Sequence, residues 1–395
     1  MITPNEEIAD GIVAIEGDTI AWVGPVGAAS SAGWDPAGAE RLTPGHRLLP
    51  GLVDVHCHGG GGVSFPDASD RDDALAGVLE HRRNGTTSLV ASLVTAPRKA
   101  LLKQTKLLAQ LAEEGELAGI HVEGPFLSDR RLGAQDGSAL APADPGLVVE
   151  LGEAAGGHLV SMTLAPEVKG AVDACLALVV AGAVPSFGHT DANGKQVKAV
   201  IKASLKALEA AGKKGRSSRP TVTHLFNGMT PLHHRAEGPI PELLAAARSG
   251  RVVVELVSDG VHLDPDLVAS MFGLLGRENI MLVTDAVGAA GMPDGQYVLG
   301  GREVRVAAGV ARMAESGNLA GGTKFLLDVV RVTIAAGVPV TDAVFAASVT
   351  PAQMLGDRRL GRLAAGCRAD LILVDRQLRP TKVVRAGQTV RGASG

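Results

Sequence analysis

Apolar and polar positions along the chain fall into three regimes. At the start, short apolar runs at 11–15 and 19–23 flank Glu16-Gly17-Asp18, which predicts a β-hairpin. The far end repeats the pattern at 369–375 and 382–390, with Ala386-Gly387-Gln388 as the turn. Neither end has enough strands to be stable alone, so residues 1–49 and 361–395 are expected to build one small β-sandwich together. Between them, residues 50–360 alternate apolar strands with amphipathic helices. The strands are expected at 53–58, 87–94, 117–123, 158–165, 183–189, 222–226, 252–257 and 280–285, and helices at 72–83, 98–114, 194–211 and 265–275 among others. Eight alternating β and α units predict an α/β fold, a TIM-like (β/α)8 barrel with its chemistry at the C-terminal strand ends. An open doubly wound sheet is the alternative, but no glycine-rich dinucleotide turn follows the first strand.

Composition narrows the classes of function. The 395 residues are 46% apolar and 20% charged, with a net charge of −4 and 3% aromatics. That balance offers neither nucleic acid nor an anionic membrane a general attraction, and few rings for base stacking. Three scattered cysteines build no disulfide framework, the N-terminus has no signal-like segment, and no apolar run is long enough to span a membrane. A cytoplasmic protein is expected. The Lys- and Arg-rich stretch Lys195–Arg219 reads as a solvated amphipathic helix and a surface loop, because the rest of the chain is not basic.

The strand ends carry the candidate chemistry. His56 and His58, in Val53-Asp-Val-His-Cys-His58, project to one side of their strand while Cys57 points away. The third strand ends in Glu123, the fifth in His189 and the sixth in His224; His262 follows the seventh and Asp285 closes the eighth. Five histidines and two carboxylates on one rim point to a divalent metal with a position left for water. Such an ion lowers the pKa of that water and polarises a carbonyl. Asp285 is placed to move the proton to a leaving amine, and His262 to stabilise the oxyanion. His46, His81 and His158 fall outside these ends and are expected to be structural or on the surface. Residue types alone therefore imply metal-assisted hydrolysis of an amide and leave the substrate open.

The runs PGLVDVHCHGG, HVEGPFL at 121–127, GHTDA at 188–192, THLFNGM at 223–229, SDGVH at 258–262, VTDA at 283–286 and SGNLAGGTKFLLDVVR at 316–331 resemble the N-acetylglucosamine-6-phosphate deacetylase family of the amidohydrolase superfamily. The resemblance runs in order through nearly the whole chain. Most other members of the superfamily carry a bridging carboxylated lysine where this family uses the Glu of H-x-E-G-P. The resemblance implies that Glu123, His189 and His224 are the principal metal ligands, Asp285 the general base and acid, and His262 a contact of the acetamide carbonyl. It further implies that Asn227 and the Gly228 backbone grip the sugar phosphate, and that Leu319, Ala320 and Gly321 line the acetyl pocket. Arg235 matches an arginine that reaches the phosphate from the neighbouring subunit of a homodimer. The implied cofactor is a divalent ion, zinc before iron, manganese or cobalt, with one or two per subunit. The implied reaction converts N-acetylglucosamine 6-phosphate and water to glucosamine 6-phosphate and acetate, in amino-sugar catabolism and cell-wall recycling.

Three departures from the family pattern stand out. Members differ at the first-strand pair, and histidine at both His56 and His58 opens a second metal position. The usual Gly-Ala-His is Gly133-Ala134-Gln135 here, so the substrate contact expected of Gln135 loses the option of positive charge. The N-terminus begins late against the family pattern, so the small sandwich is expected to lack one strand. The rival readings are another amidohydrolase, acting on a different N-acetylated sugar or a cyclic amide, and a barrel that binds amino-sugar phosphate without turnover.

Overall fold

The computed structural model describes residues 1–212 and 215–390. Eight parallel strands follow one another in sequence order: Leu52–Cys57, Thr86–Leu93, Gly119–Glu123, Leu159–Leu164, Val184–Phe187, Thr221–Val222, Val253–Leu256 and Ile280–Leu282. They are called barrel strands one to eight below. The circle closes at the C-terminal end, where Asp285 N–H donates to His56 O at 2.9 Å and His58 N–H to Ala286 O at 2.7 Å. The (β/α)8 architecture expected from the alternation is therefore present, with strand boundaries shifted by a few residues.

Local chemistry accounts for the helices between the strands. Asn193 and Gln196 form a reciprocal capping box that starts the helix Gly194–Ala211. Asp264 caps Pro265–Leu275, whose first residue is the proline that a first helical turn accepts. The helix Gly194–Ala211 is amphipathic as expected, with Val197, Val200, Ile201 and Leu208 turned inward. The loop after it is less free than the sequence implied. Arg216 is tied to the carbonyls of Gly157 and Gly182, and Arg219 to Asn279 and Glu278 O. Lys213 and Lys214 of the basic run lie outside the described residues.

Both chain ends contribute antiparallel sheet. The hairpin Gly11–Glu16 with Thr19–Pro25 forms as the turn signal predicted. Arg47–Pro50 pairs with Leu371–Val374, which pairs with Pro380–Arg385 and on to Gln388–Thr389. A third sheet was not foreseen. Gly295–Leu299, Arg302–Ala307, Val310–Met313 and Leu319–Gly321 form an antiparallel unit inserted between barrel strand eight and the helix Leu326–Ala335. Its strands alternate buried and exposed positions, and it sits on the functional rim of the barrel.

The barrel interior changes character along its axis. Val90, Val184 and Val253 pack in one apolar cluster with Met354 and Leu355 of the helix Val349–Leu355. Two residues further along those strands, on the same face by strand alternation, stand Ser92, Ser186 and Glu255. Here a polar belt crosses the barrel. His121 lies 2.9 Å from Ser92 Oγ and 2.8 Å from Thr163 Oγ1, which continues through Thr223 to Ser186. Burial pushes the His121 imidazole well below its usual pKa, so it is neutral and serves as a floor under the site.

Candidate active site

Glu123, His189 and His224 converge as the strand ends predicted. Glu123 Oε1 lies 3.0 Å from His189 Nε2 and 2.8 Å from His224 Nε2, and the two imidazole nitrogens are 3.1 Å apart. All three side chains are buried. His189, His224 and Asp285 each take a left-handed backbone conformation, with φ of 48°, 27° and 48°. Non-glycine residues pay roughly 1–3 kcal/mol for such geometry, and it concentrates where side chains must be aimed. Here the chain leaves each strand with a sharp turn that directs the side chain over the barrel mouth.

A second group stands beside the first. His56 Nε2 and His58 Nε2 are 3.1 Å apart, and Asp285 Oδ1 lies 3.4 Å from one and 3.3 Å from the other. Glu123 reaches both groups, since its Oε2 lies 3.3 Å from His58 Nε2.

The hydrogen-bond partners on the far side of each ring test whether these residues suit a metal. Arg131 O lies 2.7 Å from His189 Nδ1, and Ser92 O lies 3.3 Å from His58 Nδ1. A carbonyl only accepts, so both rings carry a proton on Nδ1 and turn Nε2 to the centre as the atom that could ligate. His56 is held the same way by Glu255 Oε2, 2.9 Å from its Nδ1. Of these four rings, only that of His224 has an Nδ1 without a partner among the described residues. Burial opposes charge on His56, yet Glu255, Asp285 and Glu123 together raise its pKa to about 10. Buried carboxylates demanding positive charge, beside imidazole Nε2 atoms whose protons an ion could replace, are a donor set that fits a divalent transition ion.

The two groups open onto a cavity of about 260 Å³. Asp285 and His262 face each other across its floor, with Asp285 Oδ2 3.7 Å from His262 Nε2. Asp259 fixes His262 by accepting its Nδ1–H at 2.8 Å and the backbone N–H groups of Val261 and His262, each at 2.8 Å. Burial opposes charge on His262, but Asp259 and Asp285 raise its pKa above the usual imidazole value. Burial also works against an ionised Asp285, and the charges of His56 and His58 nevertheless hold its carboxyl low.

The remaining expected residues divide into two sets. Asn227, Gly228, Leu319, Ala320 and Gly321 all line the cavity. Gly228 has φ +60°, and a Cβ there would lie 2.9 Å from His189 Nδ1, so glycine lets the backbone approach the site. Gln135 lines the cavity too, but its amide is already engaged between Thr95 N–H and Glu123 Oε2. Arg235 lies outside the cavity, on the exposed segment 231–237. Among the described residues, no arginine or lysine lines the cavity.

Several functional partners escaped the sequence reading. Glu255 stands in the otherwise apolar run Val252-Val-Val-Glu-Leu-Val257, and a carboxylate inside a buried strand was the available signal. Asp259, three residues before His262, has no distinguishing pattern in the sequence beyond that spacing. Cys57 does point away from His56 and His58, towards His81 at 3.3 Å. Asp54, Cys57 and His81 also come together, but Asp54 is satisfied by Thr284 and His81 Nε2–H donates to Gly59 O at 2.8 Å.

The profile of the amidohydrolase family matches residues 47–390, and the chain belongs to that family. It is 34% identical over 388 residues to N-acetylglucosamine-6-phosphate deacetylase of Bacillus subtilis (strain 168), covering 95% of this chain and 91% of that one. It is also 34% identical over 348 residues to N-acetylgalactosamine-6-phosphate deacetylase of Escherichia coli O157:H7, covering 86% and 87%. Among solved structures, a mutant N-acetyl-D-glucosamine-6-phosphate deacetylase from Mycobacterium smegmatis, in complex with N-acetyl-D-glucosamine-6-phosphate, superposes with a TM-score of 0.88 at 38% identity. That likeness covers 98% of this chain and 97% of the other. No described helix is long and apolar enough to cross a membrane.

Proposed function

We propose that this protein hydrolyses the acetamide of N-acetylglucosamine 6-phosphate to glucosamine 6-phosphate and acetate. The observation that carries the reading is the pairing of Asp285 with Asp259-held His262 beside the Glu123 cluster, in one cavity. Glu123, His189 and His224 hold a divalent ion, zinc before iron, manganese or cobalt, and His56 with His58 hold a second. Bound there, the ion supplies Lewis acidity. Asp285 takes a proton from the attacking water and delivers it to the amine nitrogen as the C–N bond breaks. His262, charged through Asp259 on one side, donates from Nε2 to the carbonyl oxygen as negative charge builds there.

The rest of the cavity orients the sugar. Asn227 and the Gly228 backbone hold its polar edge, and Leu319, Ala320 and Gly321 shape a small acetyl pocket. A phosphate dianion calls for a guanidinium or ammonium partner. The cavity lining supplies neither, which supports delivery of Arg235 from a second copy in a homodimer. A cytoplasmic place in amino-sugar catabolism and cell-wall recycling follows from this substrate.

The similarity to the Escherichia coli relative favours a second reading, in which the substrate is N-acetylgalactosamine 6-phosphate. Acetate release from both phosphorylated sugars and from unphosphorylated N-acetylglucosamine, together with metal analysis of the purified protein, tests the proposal. Turnover fastest on N-acetylglucosamine 6-phosphate supports it. Preference for the galacto sugar selects the second reading, and no turnover of any sugar by metal-loaded protein refutes both.

A further inference from the structure

Given the metal-binding reading of the two clusters, we propose that Gln135 ranks the two positions. By donating to one oxygen of Glu123, it makes the His189–His224 position the tighter and the His56–His58 position the weaker.

The amide of Gln135 has only one orientation. Thr95 N–H can only donate, so the atom 2.8 Å from it is Oε1, and Nε2 is the atom 2.6 Å from Glu123 Oε2. The backbone of Gln135 is held equally firmly. Its N–H donates to Leu132 O at 2.9 Å, and its carbonyl accepts from Arg302 Nη1 at 3.1 Å. Arg302 also binds Ala134 O at 3.0 Å, and Asn318 Nδ2 binds Gly133 O at 2.9 Å. The inserted sheet thus carries the segment 133–135, and Gln135, only 5% exposed, transmits its position to Glu123.

Each oxygen of Glu123 addresses a different cluster. Oε1 lies within 3.0 Å of His189 and 2.8 Å of His224, whereas Oε2 faces His58 at 3.3 Å and His56 at 3.9 Å. A hydrogen bond to Oε2 occupies one of its lone pairs and withdraws charge from it. It also fixes the plane of the carboxylate. Oε1 is left as the stronger donor, and any ion beside His56 and His58 must share Oε2 with the amide. Outer partners of this kind typically change metal affinity by 10–100-fold.

The test titrates chelator-stripped protein with Co²⁺ against a competing chelator, reading the visible absorption of the bound ion to resolve the two dissociation constants. Gln135→Met keeps side-chain length and removes both polar atoms. The ratio of the weaker to the tighter constant should fall about tenfold or more in this variant. Gln135→Leu likewise removes the donor and adds no group that could ligate an ion. It should lower the ratio as far, and it reads the same quantity if the methionine variant does not fold. One ion in the wild type and two in the variants would support the proposal in its strongest form. Two ions with an unchanged ratio would overturn the role of Gln135 and leave the metal reading standing. One ion in all three proteins would overturn it as well. A protein that binds no ion removes the metal reading, and this proposal with it.

Discussion

Glu255 Oε2 serves both candidate clusters, accepting His56 Nδ1–H at 2.9 Å and the backbone N–H of His224 at 3.1 Å. One buried carboxylate thus sets the tautomer of a ring in one cluster and the backbone at a ligand of the other. Glu255→Gln keeps the size of the side chain and removes the charge that fixes the His56 proton. Binding of an ion at His56 and His58 should weaken by about 10–100-fold. Titration of stripped protein measures this, and unchanged affinity would confine Glu255 to packing.

Asp285 faces in two directions, with Oδ1 towards His58 at 3.3 Å and Oδ2 towards His262 at 3.7 Å. Proton transfer is the role argued above. Asparagine tolerates the left-handed backbone that Asp285 adopts, so Asp285→Asn should fold without added strain. Metal content should stay near normal while turnover falls by roughly 10²–10⁴-fold. Loss of metal comparable to that in Glu123→Ala would instead make Asp285 a principal ligand.

What the sequence disclosed follows from how local each signal is. Barrel strands, long helices and the terminal hairpin were legible because apolar period and turn chemistry are written within about ten residues. The histidines and carboxylates at strand ends were legible because a parallel barrel brings all such ends to one rim. The sheet from Gly295 to Gly321 was not, since its strands are half exposed and attach to a barrel already complete in the pattern. Glu255 and Asp259 were missed for another reason. Their value lies in contacts with His56 and His262, and for Glu255 the partner is 199 residues away. Gln135 was legible as a departure from a family pattern, but its grip on Glu123 depends on how the loop between them folds back.

His81 is wholly buried, and burial lowers its pKa to about 4. Its Nε2–H donates to Gly59 O at 2.8 Å, and Nδ1 has no partner among the described residues, so a second proton would be stranded there. In the unfolded chain His81 takes up a proton as pH falls through about 6.5, whereas the folded protein refuses it until about pH 4. The unfolded state therefore binds more protons in that window, and stability falls on acidification. His81→Gln can keep the bond to Gly59 and does not titrate. Between pH 6 and 4.5 its stability should fall less steeply than that of wild type, by about 1 kcal/mol per pH unit. Urea midpoints across this range measure the difference, and parallel profiles would mean that His81 is protonated in the fold.

Arg235 stands on an exposed segment beyond barrel strand six, after Thr230-Pro231, and outside a cavity whose lining holds no arginine or lysine among the described residues. If a second copy brings it to the phosphate, Arg235→Ala should cost roughly 2–5 kcal/mol in kcat/KM on the phosphorylated sugar. Unphosphorylated N-acetylglucosamine should be affected little, because it has no dianion to leave unpaired. Mixing separates the two ways in which the arginine could arrive. In a heterodimer of one Arg235→Ala chain and one Asp285→Asn chain, delivery across the interface leaves one site doubly damaged and the other intact. Up to half the wild-type activity per dimer should then return from two impaired parents. Delivery within a chain damages both sites once each and returns nothing, so absence of recovery after verified subunit exchange would place Arg235 in its own subunit's site or outside the reaction.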